Sequence, residues 1–460
     1  MIDKIYDLVF LLINIINYFF IFLILILPIT LITGPAIPDI TITFFVIFSL
    51  FSMFMHIQHR RPLAESYKNI YKNSFVKFSI TYWLFLLFIS LFAENILLAY
   101  QDSIIFVRIL ALPIFLIFLI FNNNRYLKIS IGIIFFSVIF VCIDTLYQFT
   151  NYDPEFGFGK DLFGFSPDWY GRLTGPFYKE LIPGAYVSKF GLIGLVYLIL
   201  TIKNITKQNI ISIAYLTLIG VVTYVSGERM AFATFLLGIL FLIVFYQKKR
   251  MVFLLSLLLI IFSVFLTNKI HPFYNDYKIL ESTPYHLGLK IEKEYICNED
   301  SKIMCKKIIN LQPRFIEIIK NFKDSPYGQI YNLGIKMFND HKLQGIGMNN
   351  FTYVCKNDNR YKNLIKNYDC PTHPHNIYLQ WLIETGIFGL IFFLVYLYFV
   401  INYIFINNFN NYSLISLSTL LILFWPIMST GSLLKNWNGV STFFIIGICL
   451  ALSNLKQKNE

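Results

Sequence analysis

Cys370 to Leu394 reads CPTHPHNIYLQWLIETGIFGLIFFL. Two histidines, His373 and His375, close a polar stretch, and an apolar segment opens directly behind them. A Gly-Ile-Phe-Gly step, Gly386 to Gly389, interrupts that segment early. The apolar segment runs on to residue 406, long enough to cross a bilayer as a helix. The stretch is therefore the mouth of a membrane helix, with paired imidazoles at the water boundary.

Working outward, the same kind of run recurs along the chain. Hydrophobic residues make up 57% and charged residues 14%, against roughly 25% charged in a soluble domain. Spans are expected at 9–31, 40–57, 78–98, 104–121, 129–148, 184–202, 209–226, 230–246, 251–268, 377–406, 412–430 and 437–453. The fold class is therefore an all-α polytopic membrane protein with about twelve transmembrane helices. A β-barrel would show short alternating segments instead. The first run, Val9 to Leu31, is too long for a signal-peptide core and lacks a small-residue cleavage site.

The net charge of +12 follows from loop composition and does not call for nucleic acid. Arg60, Arg61, Lys68, Lys72 and Lys77 share one loop, Arg125 and Lys128 the next basic one. Lys203, Lys207 and then Lys248 to Arg250 follow, and the C-terminal KQKNE is basic too. Every second short loop carries the positive charge, which puts those loops and both termini in the cytoplasm.

Two large loops then face outward, Thr150–Ile182 and the segment 269–376 between spans nine and ten. The chain, 1–460, reads as a single membrane domain with 269–376 as a loop within it. NLQPRFIEIIKNF and YNLGIKMFNDHKL, at Asn310–Phe322 and Tyr331–Leu343, have helical apolar spacing. They predict short helices lying on the membrane face. Cys142 and Cys449 fall within spans as small core residues. Cys297, Cys305, Cys355 and Cys370 fall in the large outer loop, where an oxidising compartment favours two disulfides. Three pairings are open, with the local pairs Cys297–Cys305 and Cys355–Cys370 preferred. A zinc site using Cys370, His373 and His375 is the weaker alternative, because no CxxC spacing is present.

Polar groups gather at three outward places: Arg172, Lys179 and Glu180 in WYGRLTGPFYKELIPGAY, Glu228 and Arg229 in YVSGERMAF, and the two histidines. A single interfacial arginine is ordinarily an anchor. Two guanidinium forks from separate outer loops suit a diphosphate. A neutral imidazole can take a proton from a hydroxyl. Together these predict a sugar hydroxyl attacking an anomeric carbon and expelling a diphosphate, with no cofactor. Arg108 lies within the fourth expected span, where it supports a polar interior and takes no chemistry.

These residues resemble a family. His375-Asn376, nine residues, then Gly386-Ile-Phe-Gly389 fits the H-[NSQ]-x9-G-x-x-G pattern of the O-antigen ligases. SGERMAF resembles their Ser-Gly-x-Arg turn, which puts Arg229 at an essential arginine. GRLTGPF resembles an Arg-x-x-Gly-x-Phe segment containing Arg172, and LQGIGMNNF the Gly-x-Gly-x-x-x-Phe element of the large loop. After Gly-Pro-Phe the family often continues with an Asn-rich helix start, where this chain has YKELIPGAY.

The resemblance implies a metal-independent, inverting glycosyltransferase of the bacterial inner membrane, acting at the periplasmic face. Its donor is a polyprenyl diphosphate-linked glycan, and its acceptor is lipid A–core oligosaccharide in a ligase or another carrier-linked repeat unit in a polymerase. The carrier tail lies in membrane lipid. A protein-glycosylating subgroup shares the pattern. His375 is the expected base, with Arg172 and Arg229 on the diphosphate. His373, Lys179, Glu228 and Asn376 are expected to bind substrate or support these groups. A transporter would show paired halves and midplane polar groups, and a scaffold would not need the three motifs.

Overall fold

The structure, a computed structural model, describes residues 2–58, 70–153, 157–274, 289–298, 303–311, 315–362, 364–365, 369–406 and 409–455. Side chains are described at the same positions except 2–10, 153, 170, 289–303 and 305–317. Arg60, Arg61, Lys68 and the C-terminal basic tail lie outside the described residues.

Among the described residues, nine helices are long and apolar enough to cross a membrane. Three shorter apolar helices, Leu11–Leu25, Arg229–Phe245 and Asn411–Leu423, stand where the first, eighth and eleventh spans were expected. The chain is a multi-pass, largely helical membrane protein. Asparagines start several of the helices by accepting a backbone N–H from the first turn: Asn73 from Phe75, Asn95 from Leu98 and Asn204 from Lys207.

Two compact units divide the chain. The first comprises Met1–Phe135 and Leu333–Glu460. Its innermost helix is Asn436–Ser453, nearly every side chain of which is buried. Trp381 joins the core from the helix Ile377–Ile406, with ring contacts to Tyr82, Phe106 and Phe393. Pro113 lies inside the helix Ile96–Phe115, which passes into a π turn at Leu116–Ile120. Proline's missing N–H and ring bulk account for that change of winding.

The second unit is Phe136–Asn332. Its helices Pro183–Thr201 and Ile205–Val225 approach closely at Gly191, and the Tyr215 hydroxyl donates to the Gly191 carbonyl at 3.0 Å. The helix Arg250–Ile270 packs against Ile205–Val225.

The large outer loop departs from the all-α expectation. It contains the expected short helices Phe315–Lys320 and Pro326–Asp340, followed by Phe351–Asn357 and Asn359–Lys362. It also contains an antiparallel strand pair, Leu289–Asn298 with Ile303–Leu311, extended in parallel by the short strand Trp169–Tyr170. The strand sequence KIEKEYI carries only a partial period-two pattern, with Ile291 and Tyr295 apolar between charged neighbours and Lys293 interrupting them. A second small sheet pairs Tyr152–Asp153 with Gly157–Phe158.

Candidate functional site

In the second unit, Arg172 and Glu228 are brought together by two turns that touch. Gly227 has φ of 77°, and a side chain there would lie 2.0 Å from the Gly171 carbonyl oxygen. Only glycine permits that approach. The Leu173 N–H donates to the Ser226 carbonyl at 3.1 Å, fastening one turn to the other. From the helix Asn124–Thr150, Gln148 accepts from the N–H groups of Thr174 and Gly175 at 3.0 and 2.9 Å. The backbone on both sides of Arg172 is thus held.

The Arg172 Nη2 donates to the Leu181 carbonyl at 2.6 Å and lies 4.0 Å from the Glu228 carboxylate. Its Nε is buried without a hydrogen-bond partner among the described residues. Glu228 accepts from the N–H of Gly184 at 2.7 Å and of Ala185 at 3.2 Å. It therefore caps the helix Pro183–Thr201 from across the unit. Burial raises its pKa above the usual carboxylate value, against the opposing pull of Arg172, the two amides and Lys189. Arg229 is the first residue of the next helix and is half-buried.

Lys179, an expected substrate-binding residue, is exposed, with its Nζ 5.6 Å from the centre of the Tyr178 ring. The lysine whose charge acts on Glu228 is Lys189, within the helix Pro183–Thr201. The signal that could have found it was present: an ionisable residue inside a membrane-length apolar run is costly and rarely idle.

In the first unit, the rings of His373 and His375 lie 4.2 Å apart, centre to centre. His375 has φ of 55°, a left-handed conformation unusual for a residue with a side chain. Its carbonyl accepts the Thr430 N–H at 2.9 Å, which holds the turn. Asn376 caps the helix Ile377–Ile406 by accepting from the Leu379 N–H at 2.9 Å. Its amide also donates to the carbonyls of Pro426 and Met428. His373 Nδ1 meets the Thr372 hydroxyl at 2.9 Å. Burial, then the neighbouring His375, lowers the His373 pKa to about 4. Burial also lowers that of His375. Both imidazoles are neutral at pH 7.

Cys355 and Cys370 form a disulfide that ties the helix Phe351–Asn357 to the irregular segment leading into His373. The thiol that the zinc alternative needs is used in this bond. The pairing of Cys297 with Cys305 lies outside the described side chains. Arg108 is engaged by Asp39 at 2.7 Å and donates to Thr43 and Asn436.

The histidine helix is broken. Gly386, at φ 68° and ψ −171°, leaves the helical region. The segment around Gly345 fills the break: Ile346 and Gly347 donate their N–H groups to the carbonyls of Ile383 and Glu384, and Ile387 donates to Lys342. Backbones approach so closely that a side chain at Gly386 would meet the Leu343 oxygen at 2.1 Å, and one at Gly345 the Glu384 carbonyl carbon at 2.5 Å. Glu384 is 2% exposed. Its carboxylate accepts from the Asn349 N–H at 3.0 Å and the Gln380 amide at 3.2 Å. Asn349 in turn donates to Asp102 at 2.8 Å, and Gln380 to Ser432 at 2.7 Å. Sequence reading singled out neither carboxylate, though Glu384 lies within an apolar run and Asp102 between two of them.

Residues 213–394 match the O-antigen ligase family. The matched region contains Glu228, Arg229, the Gly345–Phe351 element, His375, Gly386 and Gly389, and begins after Arg172 and Lys179. No curated protein matches the chain.

Proposed function

We propose, from the O-antigen ligase domain that the chain carries at 213–394, that it transfers a glycan from a polyprenyl diphosphate carrier to lipid A–core oligosaccharide. At the family level the activity is that of a membrane glycosyltransferase with a lipid-linked glycan donor. The ligase reading is preferred to a polymerase because His375 to Gly389 fits the ligase spacing in full. The observation that carries the proposal is that one family match spans both the Arg229 turn and the His375 motif.

In the proposed mechanism, His375 is the base. A buried, neutral imidazole takes the proton of the acceptor hydroxyl as the oxygen attacks the anomeric carbon. The bond to the carrier diphosphate breaks with inversion, and the diphosphate leaves with the electron pair. Arg172 and Arg229 offset its developing charge. Glu228 keeps the Arg172 side chain oriented, and His373 packs the face of His375. The donor is already activated, so the reaction draws on neither ATP nor a metal. The chemistry occurs at the periplasmic face, and the carrier tail stays in lipid.

The test is reconstitution with a carrier-linked glycan and separate acceptors, without nucleotide and with a chelator present. Transfer to lipid A–core is expected. Growth of glycan on the carrier instead would make the protein a polymerase. Transfer that survives both His375→Ala and Arg229→Ala would overturn the mechanism.

A further inference from the structure

The proposed mechanism leaves Glu384 without a task, although it is a buried carboxylate inside a membrane-length helix. A carboxylate is costly there unless its oxygens are satisfied. Both are, and the donors show what the group holds. One oxygen takes the backbone N–H of Asn349, from the large outer loop, and the other takes Gln380, one turn earlier on its own helix. Asn349 is itself in the left-handed region, at φ 58°. Its side chain runs on to Asp102.

That loop is the segment lodged in the helix break. It is also tied to Glu94, whose N–H donates to the Ile346 carbonyl at 3.0 Å. Phe351 follows, fully buried, and opens the helix that bears Cys355. The disulfide then returns to Cys370, and Thr352 donates to the Pro371 carbonyl at 2.8 Å. Two residues later comes His373. The chain thus makes a closed circuit: Glu384, Asn349, the Cys355 helix, the disulfide, the histidine segment, and the histidine helix back to Glu384.

We infer that Glu384 is a positioning residue for the histidine pair, acting as a hydrogen-bond acceptor that locks the Gly345–Asn350 segment into the helix break. This rests on the assignment of His375 as the base. What the position requires is an acceptor at the reach of a glutamate side chain. The negative charge is not required, and a glutamine serves, with its oxygen accepting from the Asn349 N–H and its NH2 donating to Gln380 once that amide turns over. An aspartate is one methylene short of the Asn349 N–H.

The experiment compares Glu384→Gln, Glu384→Asp and Glu384→Ala in the reconstituted transfer assay, with His375→Ala alongside. Each variant is first checked for membrane insertion and for its Cys355–Cys370 disulfide by alkylation under non-reducing conditions. Glu384→Gln is expected to keep kcat within about threefold of the parent. Glu384→Asp and Glu384→Ala are expected to lose tenfold or more in kcat, with KM for the donor little changed. Equal impairment of all three variants would show that charge is needed and would overturn the inference. Parental rates in all three would overturn it as well. If Glu384→Ala is not recovered with its disulfide, Gln and Asp alone decide: equal impairment of both, or parental rates in both, overturns the inference. Should His375→Ala itself retain transfer, the functional reading falls. Loss in His375→Ala beside parental rates in the Glu384 series removes this inference alone.

Discussion

Gly386 and His375 show how much a single residue fixes in this protein. Gly386 combines a φ of 68° with a contact that admits no side chain. Gly386→Ala is expected to cost on the order of 1–3 kcal/mol for backbone strain alone, with the collision at Leu343 added. Gly34→Ala is the control, since φ there is 120° and nothing lies within 4 Å. The difference in thermal midpoint between the two variants measures the contact. For the histidines the pH dependence has a definite sign. The folded pKa of His373 is lowered from 6.5 to about 4, and His375 shifts the same way. Their neutral forms are favoured by folding, so this stability is present above about pH 6.5. It is lost as pH falls from there towards about 4. The acid limb of kcat/KM should accordingly lie below pH 6.5, and His373→Asn should flatten the acid loss of stability. The histidines and arginines were legible because their motifs name them. Lys189, Asp102 and Glu384 were not, because no motif names them, and the packed fold decides their partners.

At the scale of elements, helix starts and cross-links are the testable parts. Asn376 caps the helix Ile377–Ile406 and anchors two carbonyls of the following hairpin. Asn376→Ala should cost about 1 kcal/mol for the cap and more for the carbonyls it deserts, read as a lower thermal midpoint. The disulfide closes a segment with a sequence separation of 15. Cys355→Ser should lower stability by about 3 kcal/mol on the chain-entropy view. A reducing agent should then destabilise the parent by more than it destabilises the variant. The short loop helices were foreseen from their apolar spacing, and the strand pair was not. Its alternating run is broken by Lys293 at an otherwise apolar position, and its third strand is supplied by Trp169–Tyr170 from far upstream. A local pattern does not reveal such a distant partner.

For the molecule as a whole, hydropathy foretold where the helices lie better than how long they are. Asn411–Leu423 is shorter than the expected 412–430 because the chain leaves the helix at Phe424, ahead of Pro426. The proposed orientation has a direct check. A cysteine at exposed Lys179 should react with a membrane-impermeant maleimide in intact spheroplasts, and one at exposed Lys207 only after permeabilisation. Labelling of the unsubstituted protein sets the background, and the reverse result would invert the topology. The splice at Gly386 has a consequence for biosynthesis. Residues 342–347, which complete the interrupted hydrogen bonding of 383–387, leave the ribosome first. In the proposed topology they have crossed the membrane before the broken helix enters it. The loop is thus a waiting template, and the helix never has to expose its open carbonyls to lipid. A circular permutant beginning after residue 350 would reverse that order, and should insert poorly even though every native contact remains available to it.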